Sequence, residues 1–466
     1  MLQVLVFLGL TALIGGLTIW QCRKPVPVAA GEAKAYFLAG GSLSWIFVAG
    51  SLTLTNINTD TLVGWNGNQL LMVVWWELAG VPGLLLLAHL FLPVYYRENC
   101  TTVTELLERK YNYKHLRATV AGLFLVGNVF IFLPIMLYTS SLFLKHLFGL
   151  EMPLMVIATI IAVIGAAYAI FGGLRAVAIS DTFSGVLLFG MAFMVVFLAL
   201  NAVGWDLGGL PPERLQLFGD ESSRLPWTTL LTGMILTQLF YWSTNQTITQ
   251  RALAARSLKE AQKGCYAAAL IRAFLVPPIV IVPGLCAYLL FGDIGDATYG
   301  TIVKAVLPAG LSGAFAAAMV AATMTSFNST LNSSAALYVC DLHNAYINPD
   351  SHVRRLSVRV SVLFAILGIA LVPAYMGAES IIQLIQQLIG LFSMPILAAF
   401  ATGLLFKGID ARAVMASLLF GAVLYAVFTF LWTPLHFLHL MAITFIACVA
   451  FSLLLNRLIR PRQKSA

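Results

Sequence analysis

Apolar stretches of about twenty residues recur along the whole of this chain, and little else can be built from them than membrane spans. Crossing about 30 Å of hydrocarbon takes roughly 20 helical residues. Thirteen stretches qualify: 2–21, 44–65, 70–96, 117–148, 152–174, 178–203, 227–246, 264–292, 309–340, 357–377, 380–406, 411–431 and 438–457. They are continuous runs, unlike the alternating segments of about ten residues that make a transmembrane β-barrel. Charge is correspondingly scarce: 10% of the 466 residues are Asp, Glu, Lys or Arg, against about 25% in soluble domains. That is too little to cover a water-facing surface. The expectation is an all-α polytopic membrane protein. A cytosolic enzyme, a nucleic-acid binder and a disulfide-rich secreted domain are excluded. The six cysteines include no CxxC pair and the seven histidines no HExxH, so neither a disulfide framework nor a zinc site is expected.

The basic residues give an orientation. With the N-terminus outside, the inside connections are 22–43, 97–116, 175–177, 247–263, 341–356, 407–410 and 458–466. Together with adjoining helix ends they carry 22 of the 27 Lys and Arg. Four (Lys145, Arg214, Arg224, Lys304) fall outside, and Arg272 lies within a span. This bias satisfies the positive-inside rule and predicts an odd number of spans with a cytoplasmic C-terminus. The net charge of +8 is then mostly topology. The first stretch begins Met1-Leu2-Gln3, with Arg23 and Lys24 after it. That is the pattern of a retained helix, since a signal peptide carries its basic residues in front.

Polar residues inside the spans are the informative ones. Thr53–Asp60 is too polar for a lipid-facing helix, because Thr and Asn compete with the helical ladder for backbone bonds. An unwound turn survives at membrane depth only beside a cavity or inside protein. A second polar string, Thr237–Gln250, ends the seventh span. The second and seventh spans are five apart in order and cross in opposite directions, as in an inverted five-helix repeat with two discontinuous first helices. Packing through small hydroxyl residues is the competing reading. The third string is Thr323–Ser334, where Ala322, Thr325, Ser326, Ser329 and Ser333 share one helical face. Two adjacent hydroxyls plus carbonyls make an all-oxygen site, which without a carboxylate suits Na⁺ better than Ca²⁺. Alternatively, the hydroxyls bond back to carbonyls one turn earlier. Four charges stand in or near spans. Glu77 calls for a polar cavity or partner, or reaches the outer interface. Arg272 lines a pathway or snorkels. Asp181 couples an ion or complements a helix N-terminus. Asp60 sits at the break of the second span, where it can cap the outer half-helix.

Three signatures carry a resemblance. Tyr36-Phe37-Leu38-Ala39-Gly40-Gly41-Ser42-Leu43 precedes Ser51-Leu52-Thr53-Leu54-Thr55-Asn56-Ile57. Gly172-Gly173-Leu174-Arg175-Ala176-Val177 is followed by Ser180-Asp181. Tyr241-Trp242-Ser243-Thr244-Asn245-Gln246 leads to Gln250-Arg251-Ala252-Leu253-Ala254 and Ala261-Gln262-Lys263-Gly264. In order and spacing the chain resembles the sodium/solute symporter family, and within it the sodium/sugar cotransporter branch. The resemblance implies a leucine-transporter-like core, a 5+5 inverted repeat whose first and sixth core helices are discontinuous, within about 13 transmembrane helices. The core would span 44–406. It would follow an extra helix and linker (1–43) and precede two C-terminal helices with a basic tail (407–466).

The resemblance also implies residue roles. Na⁺ would be held by the side chains of Thr325 and Ser326 and the carbonyls of Leu54, Ile57 and Ala322. Glu77, Asn56 and Gln386 match the branch's sugar-binding glutamate, asparagine and glutamine, and Tyr241, with Trp242 beside it, the inner gate. The pattern departs at Thr61, where a glutamine is common, at Gln238 (asparagine), at Arg272 (lysine) and at Gly80 (serine). Arg offers a planar fork suited to a carboxylate, so a uronate or sialate-like solute joins the neutral sugars as a candidate. The implied function is Na⁺-coupled uptake of a sugar or related polar hydroxylated solute by alternating access, with membrane lipid as surroundings and a bacterial inner membrane as location. A proton-coupled carrier using Asp181 or Glu77, and a non-transporting solute sensor on a transporter scaffold, stand as alternatives.

Overall fold

A computed structural model describes residues 32–376, 381–433 and 435–459, with single positions between 6 and 20. The expected first span at 2–21 is therefore described only at those positions, which are helical. The linker at 22–31 and the basic tail at 460–466 lie outside the described residues, as do the side chains of 167–173.

Thirteen helices organise the rest: α1 Trp45–Asn56, α2 Thr59–Asn68, α3 Leu71–Arg97, α4 Lys114–Phe148, α5 Leu154–Ala202, α6 Ile235–Ser243, α7 Gln246–Leu253, α8 Leu258–Phe291, α9 Ala309–Ala336, α10 Val353–Tyr375, α11 Ile381–Leu405, α12 Ala411–Leu431 and α13 Phe437–Ile459. Among the described residues nine helices are long and apolar enough to cross a membrane. The difference from thirteen has physical causes besides the undescribed first span. The expected span at 44–65 is broken into α1 and α2, and the one at 227–246 ends in the break between α6 and α7, so no piece reaches the required length. The spans expected at 152–174 and 178–203 form one helical run, α5. Gly165 packs on Phe327, while Asp181 lies against Thr325. Both halves of α5 therefore pack on α9.

Close approach holds this core together. A Cβ at Gly185 would lie 2.5 Å from Leu54 Cδ2, and one at Gly50 would lie 2.3 Å from Thr182 Oγ1. These glycines let α5 and α1 touch along their backbones, the usual way helices pack in lipid, where burial of apolar surface drives nothing. Asn66 ties α2 to α8. Pro283 has no N–H to give Ile279, and Asn66 Nδ2 donates to that freed carbonyl at 3.2 Å. In return Gly284 N donates to Asn66 Oδ1 at 2.8 Å.

Ion pairs and charged hydrogen bonds gather at the two ends of the bundle. One end of the bundle holds Arg117 with Glu108 (2.8 Å) and Lys110 with Glu98 (3.6 Å). The other end holds Arg214 with Asp293 (3.1 Å) and Arg224 with Asn68 (3.2 Å).

Candidate functional site

The site begins where α1 stops. Ile57 (φ −95°, ψ 95°) and Asn58 (φ −135°, ψ −165°) are extended. Asn58, not Asp60, then caps α2, its side chain accepting from Thr61 N at 3.3 Å. The second break uses the same device: Thr244 leaves the helix and Asn245 Oδ1 accepts from Thr247 N at 2.8 Å to start α7. Breaking a helix strands its last carbonyls. In an unbroken helix Leu54 O would accept from residue 58. Here it accepts from Ser326 Oγ on α9, at 3.1 Å.

Neighbouring Thr325 Oγ1 donates to Ala322 O at 2.9 Å, so back-bonding and cross-helix bonding coexist on this face. Asp181 joins them from α5. Its Oδ2 accepts from Ser51 Oγ at 2.6 Å, and it lies beside Thr325. Among the described residues, five buried oxygens of α1, α5 and α9 have no partner: Thr53 Oγ1, Asp181 Oδ1, Ser184 Oγ, Asn328 Oδ1 and Ser329 Oγ. Buried polar atoms are normally satisfied. Unpartnered oxygens on helices that meet at the α1 break are groups of the kind a hard cation takes.

Beside the α1–α2 break lies a cleft with about 70 Å³ of room for water. Asn56, Asp60, Thr61, Glu77, Gln238, Arg272 and Gln386 line it, with the rings of Trp65, Trp76, Phe132, Phe240 and Tyr241. Arg272 organises the floor: it pairs with Glu77, donates to Asn56 Oδ1 and lies 4.4 Å over the Trp242 ring. Glu77 also bonds Trp65. Neither charge snorkels; each is the other's partner, 195 positions apart in sequence. Arg272 is thus already matched by a carboxylate, which weighs against an acidic sugar. Gln238 is used in the wall, donating to Trp76 O at 3.0 Å and accepting from Trp242 Nε1 at 2.9 Å. Thr61 Oγ1 donates to Asn56 O at 2.6 Å across the break. Gly80 now has a reason: a Cβ there would meet Arg272 Cδ at 2.8 Å and Trp242 Nε1 at 2.9 Å. The arginine fills the room that a serine needs.

Tyr241 lies between two cavities. It lines the cleft, and it also lines a cavity with Thr55, Asn128, Asn245, Thr247 and Thr330. Asn56 Nδ2 donates to its hydroxyl at 3.1 Å. Trp242 does not line the cleft; it stands behind the wall and supports Arg272. Toward the end that carries Arg224, the cleft continues into a groove that shares Trp65, Trp76 and Gln386 and reaches Asn68 and Arg224.

Sequence reasoning passed over several of these groups. Arg251 is fully buried. Its Nε donates to Thr55 Oγ1 at 2.9 Å, it also reaches Thr247 O, and its Nη2 has no partner. A buried arginine inside the string Thr237–Gln250-Arg251 was the available signal. The rings of Trp65 and Trp76, stacked with centroids 5.4 Å apart, carried no signal beyond their apolar runs.

Comparison with known proteins agrees with this geometry. Residues 36–421 match the Sodium:solute symporter family. The chain is similar to the uncharacterized symporter YidK of Escherichia coli (strain K12), 33% identical, covering 99% of this chain and 84% of that protein. It is similar to the sodium/glucose cotransporter of Vibrio parahaemolyticus, 31% identical, covering 87% and 81%. Among solved structures it is similar in fold to a Na⁺-coupled sialic acid symporter in a substrate-bound outward-open state. There the TM-score is 0.82 at 16% identity, with 98% of both chains covered.

Proposed function

The chain belongs to the sodium:solute symporter family, and from that premise we propose that it couples inward Na⁺ movement to uptake of a sugar or related hydroxylated solute by alternating access. It is a membrane transporter, not an enzyme. One observation carries the reading: the α1 break that strands Leu54 O beside Ser326 also delivers Asn56 to the solute cleft. Ion and solute sites therefore share one movable joint.

Na⁺ arrives from outside and is held by Leu54, Ile57 and Ala322 carbonyls and the Thr325 and Ser326 hydroxyls, with Asp181 as a further ion-coupling group. The ion cross-links α1 to α9 and fixes the position of Asn56. Solute then binds among Asn56, Thr61, Glu77, Gln238, Arg272 and Gln386. With both aboard, the ten-helix inverted repeat at 44–406 rocks, Tyr241 gives way, and both leave through the inner cavity. Each Na⁺ moved down 100 mV contributes about 2.3 kcal/mol. Coupling is reciprocal, so solute must tighten Na⁺ by the factor by which Na⁺ tightens solute. The likeness to the sodium/glucose cotransporter of Vibrio parahaemolyticus supports the hydroxylated class. The N-terminus is placed outside and the basic end in the cytoplasm of a bacterial inner membrane.

Proteoliposomes holding the purified protein test this. A Na⁺ gradient drives accumulation of at least one solute from a panel of sugars and polyols, and a pH step without Na⁺ does not. Accumulation driven by the pH step alone would replace Na⁺ with H⁺. Binding without flux would make the protein a sensor.

A further inference from the structure

We infer that the cleft selects a hydroxylated solute bearing a protonated amine, an amino sugar or amino polyol, and that Asp60 is the residue that recognises the amine. The inference rests on the sugar reading above and narrows it.

Asp60 lines the cleft, and its Oδ1 is buried with no hydrogen-bond partner in the chain. The capping role that would have occupied it belongs to Asn58. Two neighbouring polar groups of the floor are engaged. Glu77 is paired with Arg272 and bonded to Trp65, and Asn56 bridges Arg272 and Tyr241. Because Glu77 and Arg272 neutralise each other, the cleft's remaining charge is one carboxylate. Asp60 is half-buried, bonded with Asn58, and keeps one carboxylate oxygen shut from solvent without a partner, which is costly for an ionised carboxylate. A ligand ammonium removes that cost with a charge-assisted hydrogen bond, which a neutral hydroxyl does less well.

The walls favour the same ligand. The rings of Trp65, Trp76 and Tyr241 line the cleft, and aromatic rings attract ammonium groups and pack against the apolar side of a sugar ring. A solute carboxylate would meet the opposite conditions: like charge at Asp60, and an Arg272 fork already filled.

The test is competition with Na⁺-driven uptake in proteoliposomes. It uses amino sugars, their N-acetyl derivatives, the parent hydroxyl sugars and the uronates, in gluco and galacto series. A charge-assisted bond worth about 1.5–3 kcal/mol corresponds to roughly ten- to a hundredfold. The amino sugar is expected to compete that much more tightly than its N-acetyl and hydroxyl counterparts, with the uronate weakest. Asp60→Asn should bring the amine-to-hydroxyl ratio close to one, and Asp60→Glu should keep a preference. Equal competition by amine and hydroxyl sugars in the unaltered protein would overturn the inference and leave the sugar reading standing. A preference that survives Asp60→Asn would overturn the role of Asp60. Failure of every hydroxylated solute would overturn both.

Discussion

Glu77 and Arg272 are buried, with 2% and 4% of their surfaces exposed, and they are bonded to each other. Removing one member of such a pair leaves the other as an uncompensated charge, at a cost of about 3–5 kcal/mol. Replacing both members with groups that carry no charge avoids that cost. We therefore predict that Glu77→Gln and Arg272→Met each destabilise the protein by about 3–5 kcal/mol, a factor above a hundred in the folded-to-unfolded ratio. The double variant should recover a large part of the loss, giving an interaction energy of roughly 2 kcal/mol or more. It will not recover everything, because Arg272 also bonds Asn56 and covers Trp242. Denaturant unfolding of the purified protein in mixed micelles, run as a double-mutant cycle, measures this. Singles within about 0.5 kcal/mol of the parent, or a double variant whose loss is the sum of the two, would refute the pair as the organiser of the cleft floor.

Other consequences follow from neighbouring groups. Gly80→Ser should weaken solute uptake at least tenfold by crowding Arg272 Cδ and Trp242, and pairing it with Arg272→Lys should restore part of the loss; an unaffected single variant would show that the room is not shared. Arg251→Met removes the positive charge held between Thr55 and Thr247 below the ion cluster, so solute-independent Na⁺ leak, read as tracer efflux, should rise severalfold, and an unchanged leak would contradict that barrier. In the outer loop before the helix at Thr298, burial pushes the Asp296 carboxyl up to about 6 while it accepts from Ile381 N. A pKa raised on folding favours the folded state at low pH. This contribution, up to about 3 kcal/mol, is full below about pH 4 and lost as pH rises through about 6. Unfolding midpoints should therefore fall over that window in the parent and less in Asp296→Asn; equal slopes would refute the burial.

The sequence made the spans and both breaks legible because a membrane rejects polar backbone and polar side chains, so Thr53–Asp60 and Thr237–Gln250 had to be exceptions with a purpose. It also brought Thr325 and Ser326 onto one face, since helical spacing is local. It left open how the apparent spans would divide: one broken at Ile57, another at Thr244, and two fused in α5. It could not show that Glu77 and Arg272 pair, that Asn58 takes the cap and frees Asp60, or that Gly80 exists to seat an arginine. Each of these depends on which helices touch, and contacts between α3 and α8 leave no periodic trace in either helix. Trp242 shows the same limit from the other side: its place next to Tyr241 implied a gate, yet one residue of helix rotates it behind the wall.

The α1–α9 oxygen cluster as the seat of the coupling ion is tested most directly by Na⁺-jump uptake in proteoliposomes containing the Thr325→Ala, Ser326→Ala double variant, with insertion and folding checked in parallel. Solute accumulation driven by the Na⁺ gradient should be lost, while solute bound at saturating concentration without a gradient should still be detected. Undiminished Na⁺-driven accumulation in the double variant would contradict that assignment.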